Sequence, residues 1–220
     1  MMIEPYNEPV LQYAPGSDER SAIIAEYERQ SQLIVEVPCI INGEEVFTGN
    51  TMDQIVPHDH QHIIAKVHLA GPDELQRACD GAAAAQEEWI ELGMEARADI
   101  LDRAADILAG PQRMKLNAVT MLNQSKTAFQ AEIDASCELI DFWRFNSYFA
   151  RQFHDQLQPP ISPPGINNSM EMRPVEGFIL AIAPFNFTAI VGNLPTAPGV
   201  VGCTSLWKPS RNSVLSNYYV

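Results

Sequence analysis

Residues 176–220 alternate strand, helix and strand, and this order constrains the fold more than any other feature of the sequence. The apolar run GFILAIA is typical of a strand buried on both faces. The small-residue stretch GNLPTAPGVVG favours a helix, and TSLWKPS favours a second strand. Apolar strands alternate with helices in parallel α/β sheets. We therefore predict an α/β fold in which residues 176–220 begin a doubly wound, Rossmann-like parallel sheet that is incomplete in this chain.

Residues 1–157 predict an amino-terminal arm with short strands, followed by helices. The pair Asn42-Gly43 predicts a two-residue hairpin turn, because both residue types accept positive φ angles. Pro72 favours the start of a helix, and the helical period continues with breaks to about Phe153. The stretch QPPISPPGINNS then excludes a helix or a central strand through its four prolines. Residues 158–175 are therefore predicted to be a proline-rich linker or hairpin.

The chain is strongly acidic, with 28 acidic and 14 basic residues and a net charge of −14. This charge opposes attraction to phosphate backbones and anionic membranes, so we expect neither nucleic acid nor a membrane as partner and favour small molecules. No apolar run reaches the roughly 18 residues that predict a membrane span. The amino terminus lacks the features of a signal or transit peptide. Together these features favour a bacterial cytoplasm.

Two polar residues lie at the carboxyl ends of the predicted strands of residues 176–220. Asn186 comes directly after the first strand, in the stretch APFN. Because ligands bind at the carboxyl ends of strands in open α/β sheets, its amide could donate a hydrogen bond to a developing oxyanion. It could equally cap the helix that follows. Lys208 ends the second strand, where its ammonium could bind a ribose or phosphate or lie in solvent.

Other polar groups carry weaker signals. His58, His60 and His62 alternate, so an extended strand would direct them to one face. Without nearby carboxylate or thiolate patterns, a polar turn is favoured over a metal site, and we predict no bound metal. Glu132 and Asp134 could form a functional acid pair or lie on a solvated helix face. Neither common phosphate-binding loop is present, and the four cysteines form no CxxC pair, so we expect reduced thiols.

Several separate segments resemble one enzyme family. PFNF followed by GNLPTAPGVVGCTSLWKPS resembles the signature of the NAD-dependent aldehyde dehydrogenase superfamily. The segments NEPV, PHDHQH, AEIDASCELIDFWRFN and PFNFTAIVGNLPTAP are similar to the branch that oxidises glutamate γ-semialdehyde, the open form of 1-pyrroline-5-carboxylate, to glutamate. The resemblance implies an NAD-dependent dehydrogenase of proline catabolism that acts on a small aldehyde and forms a homo-oligomer when complete.

The resemblance also implies roles for individual residues. Asn186 matches the asparagine that donates its amide hydrogen to the thiohemiacetal oxyanion. Phe187 matches an aromatic residue beside the aldehyde chain, and Glu132 matches a position near the substrate amino group. The matches to cofactor-binding positions fall into two groups. They are Ala183, Pro184 and Phe185 on the nicotinamide side, and Trp207, Lys208, Pro209 and Ser210 in the adenosine-ribose pocket.

The resemblance places the nucleophilic cysteine and the glutamate base of the family beyond Val220. Cys203 lies where the family has no nucleophile, and its neighbours GCTS offer no base. We therefore expect the 220-residue chain alone to be inactive. The alternatives are a non-catalytic module that associates with full-length subunits, an inactive α/β fragment, and another NAD-dependent aldehyde dehydrogenase. Eukaryotic members of the branch work in the mitochondrial matrix, which is the alternative to the cytoplasm.

Overall fold

The computed structural model describes residues 4–156 and 161–220. The helices are α1 (Asp18–Ser31), α2 (Pro72–Glu91), α3 (Met94–Ala109), α4 (Arg113–Gln124), α5 (Ala128–Ala131), α6 (Glu138–Gln156), α7 (Thr188–Val200) and α8 (Val214–Tyr218), with a π-helical segment, Glu132–Cys137, between α5 and α6. The strands are β1 (Val35–Val37), β2 (Cys39–Ile41), β3 (Glu44–Val46), β4 (Thr51–Val56), β5 (Asp59–His68), β6 (Phe178–Ile182) and β7 (Thr204–Lys208). No helix in the two described ranges combines the length and apolar character that a membrane span requires.

The strands form three small sheets. In the first, β5 lies between β1, which is parallel to it, and β4, which is antiparallel. β2 and β3 form an antiparallel hairpin, and β6 and β7 form a parallel pair. The hairpin turn residues Asn42 and Gly43 have φ angles of 55° and 76°, and positive φ at both positions is what the tight hairpin turn requires. The hairpin prediction is confirmed.

Two of the three clusters of buried side chains in the described residues join the helices to one another and to the first sheet, and they meet at α4. The first cluster joins α3, α4, α6 and α7 and includes Leu116, Leu139 and Trp143. The second joins the first sheet to α4 and α8 and includes Ile64 and Val119. Full burial of such a side chain stabilises the fold by about 1.5–3 kcal/mol. Because α4 contributes to both clusters, it connects the first sheet to the helices that carry β6 and β7.

The parallel pairing of β6 and β7 confirms the predicted order of strand, helix and strand. Ala181 lies opposite Trp207 and Ile182 lies opposite Lys208, with α7 connecting the two strands. The predicted burial of β6 on both faces is wrong, since Leu180 and Ile182 are 58% and 60% exposed. Within the described residues β6 pairs with β7 alone. Its other edge and much of its apolar surface are therefore open to solvent.

Two helical features differ from the expectations. A helix, α1, precedes Pro72, where only an arm and strands are predicted. Only Ile23 and Gln30 of α1 are buried, so no apolar period marks it in the sequence. The predicted helical period up to about Phe153 is interrupted by the π-helical segment, in which each backbone N–H bonds the carbonyl five residues earlier. Most of the residues in this segment are buried, and Glu132 is one of them.

Residues 161–177 contain neither helix nor strand, as their prolines predict. The hairpin form of the predicted 158–175 segment is therefore not seen in its described part, and residues 157–160 lie outside the described residues. The end of the segment contacts α2, where Gln86 donates to the Val175 carbonyl at 2.6 Å and accepts from Gly177 N at 2.9 Å. These contacts fix the chain where it enters β6.

Candidate functional site

The carboxyl ends of β6 and β7 bring the two predicted groups of cofactor residues together. The strands are parallel, and Ala183 N, just after β6, donates a hydrogen bond of 3.1 Å to the carbonyl of Lys208 at the end of β7. Ala183 is buried, whereas Pro184, Phe185 and Asn186 are exposed. The predicted nicotinamide-side and ribose-side residues therefore meet at one edge of the sheet, where open α/β sheets bind their ligands.

Asn186 lies in the turn between β6 and α7 and its side chain is exposed. Phe187, rather than Asn186, occupies the N-cap position of α7, and no side chain caps that helix. The alternative interpretation of Asn186 as a helix cap is therefore wrong. An exposed amide at the end of a strand is placed to donate to a group bound at the sheet edge.

Lys126 contacts two groups of this turn and one group beside it. Its ammonium donates to the backbone carbonyl of Asn186, pairs with the carboxylate of Asp134 at 2.5 Å and lies 4.4 Å from the centroid of the Phe187 ring. The side chains of Lys126 and Asp134 are only 13% and 19% exposed, so solvent screens the pair less than a surface pair. Sequence reasoning misses Lys126, because a lysine in a short loop between helices carries no periodic or motif signal.

The first turn of α7 is fixed by α4. Thr188 Oγ1 lies 3.0 Å from Thr120 Oγ1 and accepts a hydrogen bond of 2.8 Å from Gln124 Nε2. Both threonine side chains are fully buried. Buried, satisfied hydrogen bonds of this kind limit the alternatives open to a turn. The residues that follow Asn186 are therefore held from the interior of the protein.

Glu138 adds a second carboxyl group beside Asp134. Burial, and next the charge of Asp134, raise the pKa of Glu138 above its ordinary value, while the charge of Lys126 acts in the opposite direction. Glu138 is half-buried at the start of α6. The charges of Lys126, Asp134 and Glu138 therefore act on one another, and of the three groups it is Lys126 that contacts the Asn186 turn.

The end of β7 offers hydrogen-bond donors that fit NAD. The indole Nε1 of Trp207 is not one of these donors, because it is buried within the described part of the chain. The ammonium of Lys208 is exposed and bonds the neighbouring Pro209 carbonyl at 3.3 Å, which leaves further N–H donors of the three that it carries. Ser210 Oγ accepts from the backbone N–H of Asn212 at 3.4 Å. Donors at the carboxyl end of a parallel strand match the ribose hydroxyls and phosphates of a dinucleotide.

Glu132 points into the interior of the protein and not to the sheet edge. Its side chain is 0% exposed and pairs with Arg113. Its oxygens also accept from Tyr13 Oη at 2.7 Å, Asn117 Nδ2 at 2.7 Å and Leu11 N at 2.9 Å. The interpretation of Glu132 as part of a solvated helix face is wrong, and its placement near a substrate amino group stays a prediction. Asp134 is the acid of the predicted pair that reaches the Asn186 turn.

The partners of Glu132 set the protonation of this buried cluster. Burial alone would raise the pKa of Glu132, but hydrogen bonds from Arg113, Leu11 N and Tyr13 lower it below its ordinary value. Burial and Glu132 raise the pKa of Tyr13, and Glu132 raises the pKa of Arg113 against the effect of burial. Arg113 also pairs with Glu8. The ionised cluster therefore fastens the amino-terminal arm to the helices.

The predicted histidine face does not form a shared site. His58 Nδ1 lies 2.8 Å from Ser125 Oγ, whereas His62 Nε2 lies 2.7 Å from the carbonyl of Ser31. The two rings thus bond to different elements. In residues 4–156 and 161–220, no group of three or more His, Cys, Asp or Glu side chains is arranged to hold a metal ion.

All four cysteines are free thiols. Cys203 is 2% exposed, and burial raises the pKa of its thiol. Cys137 is also buried, and burial followed by the charge of Glu132 raises its pKa to about 12. A nucleophilic cysteine must be ionised near neutral pH, so neither buried thiol is suited to attack an aldehyde.

Comparison with known proteins identifies the family. The model of the aldehyde dehydrogenase family matches residues 46–220. The chain belongs to the aldehyde dehydrogenase family. The Delta-1-pyrroline-5-carboxylate dehydrogenase of Agaricus bisporus is 49% identical over 215 residues, which are 97% of this chain and 39% of that protein. The human mitochondrial Delta-1-pyrroline-5-carboxylate dehydrogenase is 44% identical over 214 residues, 97% of this chain and 38% of that protein.

A solved structure supports the same assignment. The crystal structure of the Delta-pyrroline-5-carboxylate dehydrogenase from Mycobacterium tuberculosis bound with NAD superposes with a TM-score of 0.94 at 46% identity, covering 99% of this chain and 40% of that chain. The predicted fold class and the predicted resemblance are thereby confirmed. This chain spans about two fifths of the length of these relatives and matches the amino-terminal part of their fold.

Proposed function

We propose that the complete gene product containing residues 1–220 oxidises L-glutamate γ-semialdehyde, the open form of 1-pyrroline-5-carboxylate, to glutamate with NAD, as a step of proline catabolism. The observation that carries this proposal is the position of Asn186 at the carboxyl end of β6, next to β7, in a chain of the aldehyde dehydrogenase family. The names of relatives at 43–49% identity, which denote Delta-1-pyrroline-5-carboxylate dehydrogenases, support the substrate.

In this proposal the amide of Asn186 donates a hydrogen bond to the oxyanion formed when a thiolate attacks the aldehyde carbon. This charge is absent from the free aldehyde, so the donor lowers the reaction barrier instead of only tightening substrate binding. The exposure of the Asn186 side chain and the contacts that hold its backbone support the role. Phe187 flanks the aldehyde chain. Glu132 lies near the substrate amino group in this proposal, with its own oxygens bonded in the interior.

The β6–β7 edge binds the cofactor in this proposal. When bound, NAD supplies the acceptor for the hydride of the substrate. The ammonium of Lys208 bonds the adenosine ribose in this proposal, and its exposure at the end of β7 supports a polar ligand there. The remaining proposed contacts are Pro209 and Ser210 in the ribose pocket, with Ala183, Pro184 and Phe185 on the nicotinamide side.

Residues 1–220 by themselves are proposed to have no dehydrogenase activity, because their buried thiols are not suited to be the nucleophile. The proposed organisation is an arm with helices in residues 1–157, an oligomerisation segment in 158–175 and the start of the NAD-binding sheet in 176–220. A homo-oligomer and a cytoplasmic location, with the mitochondrial matrix as the alternative, belong to the same proposal.

A second candidate function is association without catalysis. The exposed apolar side chains of β6, Leu180 and Ile182, and those of Ile161 and Met170 in the proline-rich segment favour it. An uncovered parallel edge with apolar side chains is prone to pair with another chain. In this case the 220-residue chain would bind full-length subunits and alter their assembly without turning over substrate.

The test is NADH formation by the complete gene product containing residues 1–220, with glutamate γ-semialdehyde and with a simple aliphatic aldehyde. The proposal predicts a higher kcat/KM for the γ-semialdehyde, and the separate 220-residue chain serves as the inactive control. A higher kcat/KM for the aliphatic aldehyde would move the enzyme to another branch of the family. A folded gene product that forms no NADH with either aldehyde would favour the non-catalytic alternative.

A further inference from the structure

We propose that Lys126 and Asp134 form a positioning pair that fixes the Asn186 turn in the geometry required for oxyanion binding. The inference rests on the proposed function and assigns a role to a lysine that lies outside every motif of the sequence. Lys126 does not touch the reacting atoms in this proposal. It acts through the backbone of Asn186, which receives a hydrogen bond from the Lys126 ammonium.

Lys126 restrains the peptide unit between Asn186 and Phe187. The Asn186 carbonyl and the Phe187 N–H belong to one rigid plane, so a bond to that carbonyl restrains the backbone of both residues. The same ammonium lies 4.4 Å from the centroid of the Phe187 ring, within the range of a cation–π contact. One cation therefore restrains the backbone of Asn186 and the side chain of its neighbour.

The π-helical segment holds the ammonium of Lys126 in place. Asp134 in this segment pairs with the Lys126 ammonium at 2.5 Å. Glu132, two positions earlier, points to the opposite side of the segment, as helical geometry requires of residues two apart. There it is held by Arg113, Tyr13 and Asn117. The segment is thus anchored in the core on one side and presents Asp134 to Lys126 on the other.

The turn is also held at Thr188, on the side that leads into α7. Thr188 follows Phe187 and is bonded to Thr120 and Gln124 of α4. Three successive residues, 186–188, are therefore restrained at a carbonyl, a ring and a hydroxyl. An exposed turn without such restraints would sample many orientations of the Asn186 amide. Preorganised donors stabilise a transition state because they need no reorganisation during the reaction.

The catalytic test compares Lys126→Met, Lys126→Arg and Asp134→Asn in the complete gene product. Lys126→Met is expected to lower kcat by about 10- to 100-fold, the range for a small misplacement of a catalytic group, with little change in KM. Lys126→Arg keeps a cationic donor and should restore most of kcat, while Asp134→Asn should give an intermediate loss. Lys66→Met, which removes an exposed lysine on β5 in another sheet, is the matched control and should leave kcat unchanged.

A spectroscopic test in the 220-residue chain separates this inference from the proposed function. The carbonyl carbon of Asn186 should resonate upfield in Lys126→Met, return toward the wild-type position in Lys126→Arg, and stay unchanged in Lys66→Met. An unchanged Asn186 resonance in Lys126→Met would overturn the proposed positioning role of Lys126 and Asp134, whatever the enzyme assay shows. Equal kcat for Lys126→Met and Lys66→Met would also overturn it. A wild-type gene product that forms no NADH would overturn the proposed function, while the resonance shift would still decide the contact.

Thermal unfolding of each variant identifies losses that come from misfolding. If Lys126→Met unfolds below the assay temperature, Asp134→Asn decides the outcome, because it keeps Lys126 and removes only its carboxylate partner. A reduced kcat with unchanged KM in a folded Asp134→Asn supports the pair. A wild-type kcat in that variant contradicts it.

Discussion

Glu132 and Arg113 form an ion pair that is closed to solvent, with side chains 0% and 7% exposed. The pair lies where the amino-terminal arm meets the helices, because Arg113 also bonds Glu8 and the carbonyl of Pro9. Tyr13 of the same arm donates to Glu132. The arm is therefore fastened by charge-assisted hydrogen bonds, which are stronger than neutral ones.

We expect Glu132→Gln to lower the free energy of unfolding of the chain by up to about 3–5 kcal/mol, since removing one partner of a buried pair leaves the other charge uncompensated. The control is Glu95→Gln, because Glu95 pairs with Arg151 at the surface and is 66% exposed. Surface pairs contribute about 0–1 kcal/mol. Urea unfolding of both variants makes the comparison, and equal losses would contradict the structural importance of the buried pair.

The same cluster predicts an acid dependence of stability. The folded-state pKa of Glu132 lies below its ordinary value, so the unfolded chain binds the proton first as the pH falls. The contribution of Glu132 is therefore present above the ordinary carboxyl pKa and is lost as the pH falls through the lowered folded value. In Glu132→Gln, the free energy of unfolding should therefore fall less steeply as the pH drops below the ordinary carboxyl pKa.

Glu26 provides the internal reference for this measurement. Its pKa is also lowered, chiefly by the hydrogen bond from Arg29, so an acid slope persists in the Glu132→Gln variant. The difference in unfolding free energy between the wild type and Glu132→Gln, followed across acid pH, gives the contribution of Glu132 alone. If the unfolding free energies of the wild type and the variant fall in parallel below the ordinary carboxyl range, the folded-state pKa of Glu132 is not lowered.

Cys203 should react slowly with a thiol reagent at mildly alkaline pH in the native chain, because it is buried and its pKa is raised. Cys79 is partly exposed and should react faster. Mass spectrometry after timed alkylation measures both rates. In the complete gene product, Cys203→Ser should leave kcat unchanged, and loss of NADH formation in that variant would show that Cys203 takes part in catalysis.

Lys208→Met should weaken NAD binding by the gene product about 10- to 100-fold, the equivalent of losing a charged hydrogen bond of roughly 1.5–3 kcal/mol. The ammonium of Lys208 is exposed at the end of β7 and has donors available. Calorimetric titration with NAD gives the dissociation constant, and Lys66→Met controls for the loss of one positive charge. Equal dissociation constants for NAD in Lys208→Met and Lys66→Met would contradict the proposed bond between Lys208 and the ribose.

The elements that follow local rules were predictable from the sequence. The turn at Asn42-Gly43, the helix that starts at Pro72 and the strands β6 and β7 each carry a signal in adjacent residues. α1 carries only two buried side chains, so its apolar period is too weak to recognise. The exposure of β6 could not be predicted from its composition, because it depends on which strands pair with it.

The candidate site was predictable only in part, because some of its contacts join distant segments. Asn186 follows a strand, Lys208 ends one, and both lie in recognisable motifs. The contact between Lys126 and the carbonyl of Asn186 spans 60 positions, and the bond from Tyr13 to Glu132 spans 119. Nothing in the local pattern around Glu132 indicates whether it faces solvent or the interior. The sequence also gives no signal that the backbone here is π-helical.

The most direct test of the account is kcat for NADH formation from glutamate γ-semialdehyde by the complete gene product and its Asn186→Ala variant. We expect kcat to fall by about 10²- to 10³-fold, the usual effect of removing one oxyanion donor, while the variant stays folded because the Asn186 side chain is exposed. A variant that keeps the kcat of the wild type would contradict the assignment of Asn186 as the oxyanion donor.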